Sequence, residues 1–199
     1  MKIGLFGGTF DPIHLGHVDM AAQVQSALGL DQVQFLPAYV PPHKTDHAIT
    51  TFADRLAMVH LALDGAQGFV ANDIERTFSQ PSYTVNTLDY LSRQYPAENF
   101  YYIMGADAFN SIESWHEWRK LLTLANFVVV DRSANFFQIA PAVRAVLDAS
   151  AFALHHLPLK TLPISSSLVR ARLRAGKSVE GLLSDAVADY ICKNHLYGR

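Results

Sequence analysis

Cysteine is nearly absent from this chain: Cys192 stands alone among 199 residues. A single thiol closes no internal disulfide, so the fold must rest on its core, and this cysteine usage suits a reducing cytoplasm. Long apolar runs are missing too. No segment approaches the roughly 20 uninterrupted apolar residues of a membrane-spanning helix. Gly7 and Asp11 interrupt the N-terminal apolar run, which leaves it too short for a signal peptide. Charge of one sign is also scarce. Sixteen Lys and Arg face 18 Asp and Glu, for a net charge of −2, without the basic excess that marks nucleic-acid binding. Two familiar phosphate signatures are lacking as well. Gly4, Gly7 and Gly8 do not form G-x-G-x-x-G, and no Walker lysine follows them, so hydride transfer and P-loop chemistry lose their usual support.

Half of the residues are hydrophobic, and the length suits one domain spanning residues 1–199, with 160–199 as a C-terminal helical part. Strand-like apolar runs cover 2–6, 32–36, 69–72, 99–104, 127–131 and 151–155. Amphipathic stretches alternate with them. Val18, Ala21, Ala22 and Leu28 mark the first, and Leu56, Val59 and Leu63 the second, opened by Thr51 as a cap. Val85, Leu88 and Leu91 mark a third, which ends by Pro96. Residues 165–175 and 184–194 read as two further helices. This alternation predicts an α/β fold, a parallel sheet with helices on both faces. Ligands of such sheets sit beyond the carboxyl ends of the strands. The segments Gly7–His17, Gly105–Asp107 and Arg132 follow predicted strands and are expected to meet there.

The run Gly7-Gly8-Thr9-Phe10-Asp11-Pro12-Ile13-His14-Leu15-Gly16-His17 carries the most information. Its glycines allow a sharp turn and a close approach to a bulky anion. His14 and His17, three apart at a helix entry, share one face beside the positive end of the helix dipole. Their spacing also suits metal ligands, but no third ligand lies nearby in sequence, and a closed zinc site needs four. A polyphosphate is the better match. Near the other end, Ser165-Ser166-Ser167 opens a helix bearing Arg170, Arg172 and Arg174, a second anion-binding arrangement.

Other blocks leave alternatives open. Trp115 and Trp118 are spaced as core anchors of a helix, yet Trp115 follows the Gly105-Ala106-Asp107 turn closely enough to stack on an electron-poor ring. Asp107 suits a ribose hydroxyl or a helix cap. The block Pro81-Ser82-Tyr83-Thr84 reads as a turn with a Ser or Thr cap, whose free N–H groups also suit a carboxylate. The remaining histidines, His155 and His156 included, read as structural.

The Gly7–His17 run resembles the H-x-G-H motif of the nucleotidyltransferase superfamily, in the longer form found in bacterial nicotinate-mononucleotide adenylyltransferases. Pro41-Pro42-His43-Lys44, Pro81-Ser82-Tyr83-Thr84, Gly105-Ala106-Asp107 with Trp115, and Ile164-Ser165-Ser166-Ser167-x-x-Arg170 resemble further blocks of that family in the same order. The resemblance implies a Rossmann-like nucleotidyltransferase fold. It also implies transfer of AMP from ATP to nicotinate mononucleotide, with Mg²⁺ arriving on the ATP phosphates and no protein metal site. It assigns Gly8, Thr9, Phe10, His14, His17, Ile164, Ser165, Ser166 and Arg170 to ATP, with His14, His17 and Arg170 catalytic. Lys44, Thr84, Val85, Asp107, Trp115 and His116 fall to the nicotinate nucleotide. Ser167 and Gln80 depart from the family pattern, where threonine and glycine are usual. The nearest alternatives are another transferase of this fold, acting on phosphopantetheine or an alcohol phosphate, and a nucleotide sensor without catalysis. Oligomeric state and protein partners are not legible.

Overall fold

A computed structural model describes residues 1–41, 49–78, 81–131 and 137–198. Six parallel strands form one sheet: β1 (Lys2–Gly8), β2 (Gln32–Pro37), β3 (Phe69–Ala71), β4 (Asn99–Gly105), β5 (Asn126–Asp131) and β6 (Leu154–Pro158). Their order is β3-β2-β1-β4-β5-β6. The order reverses between β1 and β4, whose register pairs Leu5 with Tyr102 and Phe6 with Ile103. A crevice therefore opens beyond the carboxyl ends of these two strands.

Alternation along the strands divides the core between two faces. Phe6, Ile103, Val128 and Val130 point to one side, packed under helices α1 (Leu15–Leu28), α2 (Phe52–Leu63), α7 (Ser166–Arg174) and α8 (Asp185–Lys193). Leu5, Tyr102, Met104, Phe127 and Val129 point to the other. There they meet α3 (Thr84–Gln94), α4 (Ala106–Asn110), α5 (Trp118–Leu121) and α6 (Pro141–Asp148). The predicted doubly covered parallel sheet is thus observed. Among the described residues no helix is long and apolar enough to cross a membrane.

Several local expectations need correction. The last strand lies at Leu154–Pro158 rather than 151–155. The side chains of Ser150 and Asn126 bind the N–H groups of Phe152 and Ala153 and hold that stretch in a turn. Strand β3 stops at Ala71 because the Asn72 carboxamide accepts from Ile74 N–H and turns the chain. Thr51 does cap α2, accepting from Asp54 N–H at 3.2 Å, but the buried stripe of that helix runs through Arg55, Met58, Val59 and Leu63 rather than Leu56. Helix α3 starts behind Tyr83 with no side-chain cap, since Ser82 Oγ accepts from Val40 N–H instead. The tryptophans share no helix: Trp115 ends a short 3-10 turn, and Trp118 begins α5. Helix α6, with Pro141 at its first turn and Val143 and Leu147 buried, had no counterpart in the sequence reading.

Candidate active site

The Gly7-Gly8 pair ends β1, in register with Leu36 and Pro37 of β2, and packing explains both glycines. A Cβ on Gly7 would strike the Tyr102 hydroxyl, and one on Gly8 would come within 2.9 Å of the Phe10 ring. Phe10 has φ 49°, rare for an aromatic residue and typical of tightly determined functional turns. The turn is pinned from outside. Arg55 Nη1 donates to Thr9 O at 2.7 Å, Arg170 Nη1 to Asp11 O at 2.7 Å, and Ser166 Oγ to Pro12 O at 2.9 Å. The start of α7 thereby meets the β1 turn.

His14 is the N-cap residue of α1. The His14 and His17 rings stack at 3.6 Å, inclined by 19°. The backbone N–H of His14 donates to His17 Nδ1 at 3.2 Å. A neutral imidazole that accepts at Nδ1 carries its proton on Nε2, so His17 offers a fixed N–H donor. Phe10 packs edge-on against His17 at 5.1 Å. Ser165 caps α7, accepting from Leu168 N–H at 3.1 Å, and Ile164 before it is buried.

Next to the turn is a cavity of about 330 Å³, lined on one side by Gly7, Gly8 and Thr9 and on the other by Thr84, Val85, Trp115 and His116. That volume suits a small planar ring with its sugar. Trp115 stands edge-on to Tyr102 at 6.4 Å, and Tyr83 and His116 stack at 4.2 Å to form a wall. The N–H groups of Thr84 and Val85 occupy the first turn of α3, where the helix supplies no carbonyl. Of the remaining candidates, Asp107 is exposed in the first turn of α4, beyond the cavity lining. Phe10, His14, His17, Ile164, Ser165, Ser166 and Arg170 lie outside that lining, on the α1–α7 side of the turn. Lys44, Gln80 and Arg132 lie outside the described residues.

Three buried groups at the site escaped the sequence reading. Arg55 is 1% exposed and also donates to the Thr50, Ala38 and Tyr39 carbonyls. Burial pulls its guanidinium below the ordinary value, while Asp11, Tyr197 and Glu75 push back. Glu75, a cavity residue, accepts from Tyr39 N–H and Thr87 Oγ1, both at 3.4 Å. Burial raises its carboxyl pKa, opposed by hydrogen bonds from Ser82, Tyr39 and Thr87 and by the Arg55 charge. Tyr102 shares a 3.4 Å hydrogen bond with Thr84, and burial pushes its hydroxyl far above the usual phenol range. Arg55 did leave a signal, an arginine at helical spacing among apolar residues; the other two left none.

The sequence profile of the cytidylyltransferase-like family matches residues 5–172. A curated relative from Desulfatibacillum aliphaticivorans, named probable nicotinate-nucleotide adenylyltransferase, is 38% identical over 217 residues, covering 99% of this chain and 100% of the relative. The chain belongs to the nicotinate-nucleotide adenylyltransferase family. A family member of the same name from Geobacillus thermodenitrificans is 40% identical over 197 residues, covering 99% of this chain and 86% of its own. Plasmodium falciparum nicotinic acid mononucleotide adenylyltransferase, solved in complex with NaAD, superposes with a TM-score of 0.78 at 23% identity, covering 98% and 97% of the two chains. Within this adenylyltransferase fold, the β1 turn, the α7 start and the ring-sized cavity converge at the β1–β4 crevice.

Proposed function

We propose that the protein transfers AMP from ATP to nicotinate mononucleotide, giving deamido-NAD and pyrophosphate. The observation that carries this reading is the junction at Gly8–Thr9. A phosphate-type turn with the stacked His14–His17 pair lies on one side, and a cavity walled by Trp115 and the first turn of α3 on the other.

In this mechanism the 5′-phosphate of the mononucleotide attacks the α-phosphorus of ATP in line, and negative charge builds on the departing pyrophosphate. No covalent nucleophile is needed; positioning and charge stabilisation do the work. His17 donates from Nε2, fixed by the His14 N–H on its other nitrogen. His14 stands at the positive end of α1. Arg170 donates to Asp11 O and, at 3.4 Å, to Ser167 Oγ, and it brings its charge, with its remaining donors, to the phosphates. Gly8, Thr9 and Phe10 supply the turn backbone, and Ile164, Ser165 and Ser166 the start of α7, for the nucleotide. A divalent ion such as Mg²⁺ would neutralise charge on the ATP phosphates. Among the described residues no group of three His, Cys, Asp or Glu side chains is placed to hold a metal ion, so phosphate oxygens and water would supply most of its ligands.

On the acceptor side, Trp115 stacks on the pyridine ring. The backbone N–H groups of Val85 and His116 hold its carboxylate, with Thr84 beside them. Lys44 and Asp107 complete the nucleotide's set, for the phosphate and ribose. Two N–H donors suit a carboxylate, whereas an amide turns its own NH₂ toward one of them. An unsatisfied buried donor costs roughly 1–3 kcal/mol, which is one to two orders of magnitude in selectivity. The exposed thiol of Cys192 fits a cytoplasmic location for this chemistry. The test is Trp115→Ala. Ring stacking is worth about 1–3 kcal/mol, so KM for nicotinate mononucleotide should rise about ten- to a hundredfold while KM for ATP stays put. An unchanged acceptor KM would remove the ring from this cavity.

A further inference from the structure

The C-terminal turn reaches back to the opposite end of the chain. Tyr197 donates its hydroxyl to Asp11 Oδ1 at 2.7 Å. Asp11 is 1% exposed, and its second oxygen, Oδ2, takes no hydrogen bond among the described residues. The Tyr197 hydroxyl is therefore what satisfies this buried carboxylate there. Burial and the neighbouring carboxylate push that hydroxyl up, against a hydrogen bond with Thr50 and the Arg170 charge, which agrees with its place as the donor. Tyr197 itself sits at φ 60° and ψ 23°, a left-handed conformation that is unfavourable for a non-glycine residue and persists where the surroundings dictate it.

The segment Thr9–Pro12 is otherwise held through its carbonyls: Thr9 O by Arg55, Asp11 O by Arg170, Pro12 O by Ser166. In a trans peptide the carbonyl and the next N–H point opposite ways. Drawing the Thr9 and Pro12 carbonyls toward α2 and α7 turns the Phe10 and Ile13 N–H groups the other way. Tyr197 is the tether that acts on a side chain of the segment rather than on its backbone.

We propose that Tyr197 is a positioning residue: its bond to Asp11 latches the Thr9–Pro12 segment in the orientation that presents backbone N–H groups to the nucleotide phosphates. The inference rests on the reading of the Gly7–His17 turn as the phosphate site. It makes the C-terminal turn part of the ATP half of the enzyme and leaves the acceptor half untouched.

The test compares Tyr197→Phe with Tyr190→Phe. Tyr190 also lies near the C-terminus and donates to Asp54 Oδ1 at 2.9 Å, tying α8 to α2 without touching the turn. Amide hydrogen exchange over residues 8–13 should quicken at least about tenfold in Tyr197→Phe and stay unchanged in Tyr190→Phe. In Tyr197→Phe, kcat/KM for ATP should fall about ten- to a hundredfold, the scale of one hydrogen bond to a charged group. KM for nicotinate mononucleotide should move by less than about twofold. Matching behaviour of the two variants, or an acceptor KM that shifts as much as the ATP parameter, would overturn the latch. If the wild-type protein releases no pyrophosphate, the proposed function fails by itself, and the exchange comparison still decides the latch.

Discussion

Gly7→Ala is the perturbation that most sharply separates packing from ligand approach as the reason for the glycine turn. A methyl group there would strike the Tyr102 hydroxyl and lie 3.1 and 3.3 Å from Cζ and Cε2 of the same ring. Tyr102 is 5% exposed and packs against Phe127 at 5.8 Å and Trp115 at 6.4 Å, so it has little room to retreat. Overpacking of this kind costs about 1–3 kcal/mol. Tyr102→Phe removes the hydroxyl at small expense, because its bond to Thr84 is long at 3.4 Å; about 0.5 kcal/mol is the expected loss. In the double variant the worst collision vanishes while the two ring contacts remain tight. The expected coupling is therefore about 1–2 kcal/mol in the direction of rescue, well beyond the additivity error of about 0.5 kcal/mol. Urea unfolding of the four proteins, with midpoints and slopes fitted together, measures it. Additive effects, or a Gly7→Ala loss below about 0.5 kcal/mol, would refute the packing argument and return the glycine to the ligand.

Three other outcomes follow from the geometry. His17→Ala should cut turnover 10²–10³-fold, about 2.7–4 kcal/mol, without moving the urea midpoint much, and near-normal turnover of the folded variant would dismiss His17 as a phosphate donor. Arg55→Met strips donors from the Thr9, Ala38 and Thr50 carbonyls and should cost about 3–5 kcal/mol; a loss under about 1 kcal/mol would show that the loops hold themselves. The Glu75 carboxyl has a folded pKa raised above its ordinary 4.5 by burial, so between those two values the folded state binds more protons than the unfolded one. Wild-type stability should then fall relative to Glu75→Gln as pH climbs from the ordinary carboxylate range toward neutrality, and the difference should level off at lower pH. A stability difference that does not vary with pH in that window would mean Glu75 is effectively solvated.

The sheet was legible because its signals are local. Alternating apolar runs with turn residues between them placed all six strands; the third ran one residue too far, into the turn at Asn72, and the last began three residues early, in the stretch that Asn126 and Ser150 hold in a turn. The Gly7–His17 run and the Ile164–Arg170 block stood out in the sequence as candidate anion sites, and the structure brings them into contact through Ser166 and Arg170. What sequence did not reveal was the set of long-range ties. Glu75, Tyr102 and Tyr197 act across separations of 36, 18 and 186 residues, and no periodicity encodes such a pairing. The glycines show the same limit: their place at a turn was readable, but not the Tyr102 and Phe10 rings that exclude a side chain there.

Pyrophosphate release with ATP and Mg²⁺, offered nicotinate mononucleotide and nicotinamide mononucleotide in parallel, tests the central claim most directly. The account predicts fast release with the acid, matched by deamido-NAD formed in equal amount, and release slower by one to two orders of magnitude with the amide, as a stranded donor worth roughly 1–3 kcal/mol requires. Silence with both acceptors, alongside measurable ATP binding, would contradict it and point to a different acceptor or to a nucleotide sensor.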